Sequence, residues 1–131
     1  MFTQSYQNIL VGIDGSDQAM EAFKKALAVA KRNHGTVYVA NVIDHQVYTF
    51  MSYSPLNENI MDQLTADAKN LINECKAFGK EYGYNKIEGI IAYGSAKEAM
   101  ARTLPEKYDI DLVMVGQSGL NAVERFMTGS V

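Results

Sequence analysis

The chain has 131 residues, enough for one domain with a real hydrophobic core, and it is 47% hydrophobic and 21% charged, an ordinary globular balance rather than a disordered one. Its formal charge of −3 gives no general pull towards nucleic acid, and its one cysteine, Cys75, excludes an intrachain disulfide. A polar N-terminus without a charged-then-apolar leader, and no apolar run near eighteen residues, predict a cytoplasmic protein that engages neither nucleic acid nor membrane.

Ile9-Leu10-Val11-Gly12-Ile13 is a short continuous apolar run, the pattern of a strand buried on both faces. It gives way to Asp14-Gly15-Ser16-Asp17, where Ser16 or Asp17 can cap a helix by accepting from free backbone N–H groups. Ala19, Met20, Phe23, Ala26, Leu27 and Ala30 then recur at helical spacing, and Gly35 suits the helix stop. Residues 36–43 are rich in β-branched side chains and read as a second strand. Residues 44–54 are irregular, with Tyr48, Phe50, Met51 and Tyr53 among polar neighbours. Ser54-Pro55 offers a helix start, and Ile60, Leu64, Ala68, Leu71, Ile72, Cys75, Phe78 and Tyr82 form one apolar stripe ending near Gly83. Residues 86–93 read as a third strand. Gly94 follows, and Ser95 with Glu98 has the spacing of a capping box for a helix that Pro105 ends or kinks. Residues 111–115 are the fourth strand, with Asp109 and Asp111 at its approach.

Strands alternating with helices predict the α/β class, with residues 1–131 forming a single domain. The expected architecture is a doubly wound parallel sheet with helices on both faces, of flavodoxin or Rossmann type. Four strands would leave the fourth at an edge, although its run is as apolar as that of a central strand. Gly129-Ser130 reads as a helix start with no helix after it, so a C-terminal helix and strand are expected to be missing from the sequence.

Gly116 stands just past the fourth strand, at the rim where open α/β sheets bind ligands. It opens the pattern Gly116-Gln117-Ser118-Gly119, nine residues, Gly129-Ser130-Val131. Backbone N–H groups in glycine turns and at a helix N-terminus hold an anion without a lysine, and the Ser130 hydroxyl adds a donor. The same residues also suit plain turns and a helix cap. Asp14, on the same rim, could accept from ribose hydroxyls or an adenine amino group, or could merely close an Asx-turn. A P-loop and a dinucleotide G-x-G-x-x-G are both absent. His34 and His45 have no neighbours at zinc-ligand spacing, and Ser118 has no evident base. The residues thus point to a phosphate-bearing ligand, with no catalytic constellation and no protein-built metal site.

Residues 8–16, with the sequence Asn-Ile-Leu-Val-Gly-Ile-Asp-Gly-Ser, resemble the opening strand and turn of universal stress protein domains. The fourth strand with Gly-x-x-Gly, nine residues and Gly-Ser-Val is similar to that family's ATP-binding signature. The resemblance implies adenine and ribose near Asp14 and Val42, a cleft lined by Val115, Gly116 and Gly119, and phosphates held by Gly129, Ser130 and Val131. It implies an ATP-binding regulatory module of the stress response, with AMP or ADP as other candidate ligands and Mg²⁺ or Mn²⁺ on the phosphates. It also implies a homodimer formed through a C-terminal strand that this sequence does not contain. A slow ATPase relying on Asp14 or Ser118, and an interaction protein with an empty cleft, are the alternatives. The segment 44–54 falls where the family varies.

Overall fold

The computed structural model describes residues 6–43, 58–116 and 123–127. Its centre is β1, Asn8–Gly12, where Ile9, Leu10 and Val11 have no exposed surface at all. A strand so apolar on both faces must be covered on both, and the neighbouring elements do this. β1 pairs in parallel with β2 (Thr36–Ile43) on one side and β4 (Leu112–Gly116) on the other. β3 (Ile87–Tyr93) lies outside β2, also parallel, and β5 (Val123–Met127) lies outside β4 and antiparallel to it. The strand order is β3-β2-β1-β4-β5.

Side chains alternate across the sheet, and the alternation separates two cores. Ile9, Val11, Val37, Val39, Leu112 and Met114 face α1 (Asp17–Asn33) and α2 (Glu58–Tyr82), packing with Phe23, Ala26, Leu27, Ile72 and Cys75. Leu10, Ala40, Ile90 and Val113 face the other way, against Ala99 and Leu104 of the helical stretch 96–107. The connections β1–β2 and β2–β3 thus lie on one face and the connection β3–β4 on the opposite face. The sheet is doubly wound as expected, and its direction of winding reverses between β1 and β4.

Three local features differ from the sequence expectation. His34 (φ 59°), not Gly35, takes the left-handed position at the end of α1, its N–H bonding to Ala30 O. Gly35 is needed for another reason: a Cβ there would lie 2.6 Å from Tyr6 O and 2.7 Å from Gln7 O. Pro105 does not end its helix. The stretch runs as α3 (Ala96–Glu98), a π turn (Ala99–Thr103) and α4 (Leu104–Lys107), with Leu104 N–H reaching back to Ala99 O. The wider turn absorbs the residue whose ring would otherwise press on the preceding turn. β4, finally, is not an edge. β5 covers it, supplying partners for the backbone groups that a bare apolar strand would present to other chains.

Asp111 staples the start of the sheet, its two carboxylate oxygens accepting from Gln7 N (3.0 Å) and Asn8 N (3.1 Å). Cys75 is wholly buried in the larger core, as its place on the apolar stripe predicts. Burial, and secondarily the Glu74 carboxylate, push its thiol up to about 11. The folded chain therefore keeps a proton that the unfolded chain gives up, and stability should fall as pH rises from about 9 to 11. Urea midpoints at pH 8, 9, 10 and 11 should decline more steeply for the parent protein than for Cys75→Ala.

Candidate functional site

Reversal of winding opens a crevice above the C-terminal ends of β1 and β4, because α1 follows β1 on one face of the sheet while the helical stretch 96–107 leads into β4 from the other. A hollow of about 180 Å³ occupies it, lined by Gly12, Ile13, Asp14, Ala19, Ala40, Val42, Ala96, Met100, Val115 and Gly116. Four of the residues singled out from sequence, Asp14, Val42, Val115 and Gly116, meet here from three separate strand ends. Gly119, Gly129, Ser130 and Val131 lie outside the described residues, as do residues 44–54, His45, Ser118 and the Ser54-Pro55 helix start. A wider hollow of about 410 Å³ lies between α2 and β3, away from the strand ends, with exposed Lys69, Lys76 and Glu88 on its walls.

The walls are apolar where the strands and the helical stretch meet: Ala40, Val42, Val115, Ala96 and Met100. Met100 lies over Gly12 so closely that a Cβ on the glycine would stand 3.2 Å from the methionine Cε. The polar lip is the turn after β1. Asp14 Oδ1 accepts from Ser16 N (2.9 Å), and Ser16 Oγ in turn accepts from Ala19 N (3.1 Å), capping α1. The Asx-turn is thus real, and it occupies one carboxylate oxygen. Asp14 Oδ2 has no hydrogen-bond partner among the described residues. The ionised carboxylate is acceptor-only, so the free oxygen suits a hydroxyl or amino donor.

Gly116 forms the opposite lip, and its lack of a side chain has a packing cause. A Cβ there would lie 2.3 Å from Gln18 O and 2.8 Å from Ala19 N, so the end of β4 abuts the first turn of α1 backbone to backbone. From this lip the chain returns as β5, Val123 opposite Gly116 and Met127 opposite Leu112, running down β4 away from the rim. No group of three or more His, Cys, Asp or Glu side chains that could hold a metal ion occurs among the described residues.

A profile of the universal stress protein family matches residues 5–131. The chain belongs to this family. A universal stress protein of Staphylococcus aureus (strain USA300) is 39% identical over 127 residues, covering 97% of this chain and 75% of its own length. Among solved structures, universal stress protein UspA from Lactobacillus plantarum superposes with a TM-score of 0.71 at 24% identity, covering 90% of this chain and 83% of its own. A universal stress protein in complex with cAMP superposes with a TM-score of 0.64 at 23% identity, covering 91% and 78%. Both likenesses bear on the fold, which is that of the universal stress proteins. No helix among the described residues is long and apolar enough to cross a membrane.

Family signatures do not reach Ala96, Met100 or Ala40, and sequence reasoning passed them over as helix and strand core. Only the π turn carries a local signal, Pro105, which the sequence marks as a point where the helix ends or kinks. Gly116→Ala should cost about 1–3 kcal/mol, because the added methyl meets rigid helix backbone and not a flexible side chain. Urea denaturation checks this, and an unchanged midpoint would mean that β4 and α1 are not in contact at this point.

Proposed function

We propose that this universal stress protein is a regulatory module that holds an adenine nucleotide, ATP by its glycine signature, at the β1–β4 switch point. The observation that carries the reading is the convergence of Asp14, Val42, Val115 and Gly116 on one hollow that is apolar at its walls and polar at its lip. About 180 Å³ suits a base-sized ring more than a whole nucleotide, since sites enclosing drug-sized ligands run to roughly 300–1,000 Å³. The base would lie against Val42, Ala40 and Met100, with Asp14 Oδ2 accepting from a ribose hydroxyl. The phosphates would then extend past Gly116 towards Gly119, Gly129, Ser130 and Val131, whose part in the reading rests on the sequence signature. A cAMP complex among the similar structures supports an adenine ligand. Mg²⁺ or Mn²⁺, when present, would be held chiefly by the phosphates. The function is binding and its signalling, in the cytoplasm and as a homodimer, with no residue among those described poised to activate water.

Calorimetry with ATP, AMP and cAMP tests the ligand, and native mass spectrometry of protein purified without added nucleotide tests whether ATP is retained. Asp14→Ala should weaken ATP roughly 10- to 100-fold, the value of a hydrogen bond to a charged group. Asp14→Asn, which can keep the Asx-turn, should lose less. Gly119→Val and Gly129→Val should abolish ATP binding with an unchanged circular dichroism spectrum. Undiminished ATP affinity in either valine variant would remove the phosphate assignment, and steady release of ADP and phosphate would turn the reading to an ATPase.

A further inference from the structure

The turn that carries Asp14 is held by a residue outside the hollow. Gly12 pairs with Ala40 in the parallel ladder, and one step further the register would set Ile13 opposite Asn41. The N–H of Ile13 still makes its ladder bond, to Ala40 O at 2.8 Å. Its carbonyl then leaves the strand with the turn, and the side chain of Asn41 supplies the missing rung: Nδ2 donates to Ile13 O at 2.8 Å. Ile13 is thus fixed through both backbone groups, immediately before Asp14. Downstream, the turn is fixed by the Asp14–Ser16 bond and the Ser16 cap.

Asn41 does not line the hollow. Alternation along β2 puts Ala40 and Val42 on the face of the helical stretch 96–107, and Asn41 on the other face with Val37 and Val39. Half-buried there, it reaches the turn from behind the sheet. Thr, Val or Ile would suit a strand better by propensity, and none of them carries a side-chain amide that can donate to a carbonyl.

We propose that Asn41 is a positioning residue of the nucleotide site: through Ile13 O it sets the aim of Asp14, and it touches no ligand itself. The proposal rests on the nucleotide reading for its functional half, and it has a structural half that needs no ligand. Asn41→Leu and Asn41→Asp keep the number and branching of side-chain heavy atoms and remove the donor. In ligand-free protein, amide hydrogen exchange at Ser16 should quicken at least ~10-fold in both variants while Val11 and Val39 keep parental protection. A merely structural role would quicken β1 and β2 together, and unchanged exchange at Ser16 would leave the turn independent of Asn41. Either result overturns the proposal. With ligand, Asn41→Leu should weaken ATP and adenosine about tenfold alike, since the phosphates lie elsewhere. In an Asp14→Ala background the same substitution should change affinity less than twofold, because the group it positions is gone. An equal loss with and without Asp14 overturns positioning. A parent that binds no adenine nucleotide overturns the functional half and the nucleotide reading together, while the Ser16 exchange still decides the structural half.

Discussion

The constraint on which the rest depends is the complete burial of β1 on both faces. Ile9, Val11 and Leu10 can be covered only if helices lie on both sides of the sheet, so the chain must change faces somewhere. It does so between β3 and β4, and β4 must then return beside β1. The crevice at the rim follows from that topology rather than from any residue lining it. Side chains decide only what the crevice can hold. Here the wall is apolar and the lip carries one carboxylate, and the proposed nucleotide site rests on that division of labour.

Much of this was legible in the sequence wherever a single element carries its own signal. β1 and β4 show as apolar runs because strands buried on both faces have no polar side to interrupt them, and β2 shows by its β-branched content. Ser16 shows as a cap because its side chain answers a need only three residues away. β5 did not show. Val123-Glu124-Arg125-Phe126-Met127 has neither a buried run nor clean alternation, and its pairing is dictated by the open edge of β4. The π turn was likewise hidden, although its cause, Pro105, was in view. Met100 and Asn41 were illegible for a deeper reason. Each acts on a residue far away in sequence, Met100 on Gly12 and Asn41 on Ile13, and no local period records such a contact.

Two residues at the rim serve the scaffold and, in the proposed function, the site at once, and this changes how their identities should be read. Gly116 is glycine because α1 stands against it, and Asp14 has one oxygen committed to the turn. In both, the structural role is what brings the residue to the crevice in a fixed pose. A carboxylate without the Asx-turn would sweep through several rotamers, and ordering it on binding would cost conformational entropy. The turn spends one acceptor to fix the direction of the other. The structural reading of these residues therefore does not compete with the functional one.

The same logic extends to the strand ends. Beyond the N–H of Ile13 the ladder no longer holds the chain, so each backbone group there must find another partner or face water. Ile13 O finds the Asn41 amide, and Ala19 N finds Ser16 Oγ. Both are part-buried side-chain bonds at the end of the ladder and not rungs within it. A ligand that bridges the two lips would tie the turn after β1 to the end of β4, joining segments that the sheet holds together only below the rim. Binding at this point would stiffen a turn that is held by side-chain bonds and not by the ladder. That is the physical condition for an occupied cleft to differ, to a partner, from an empty one.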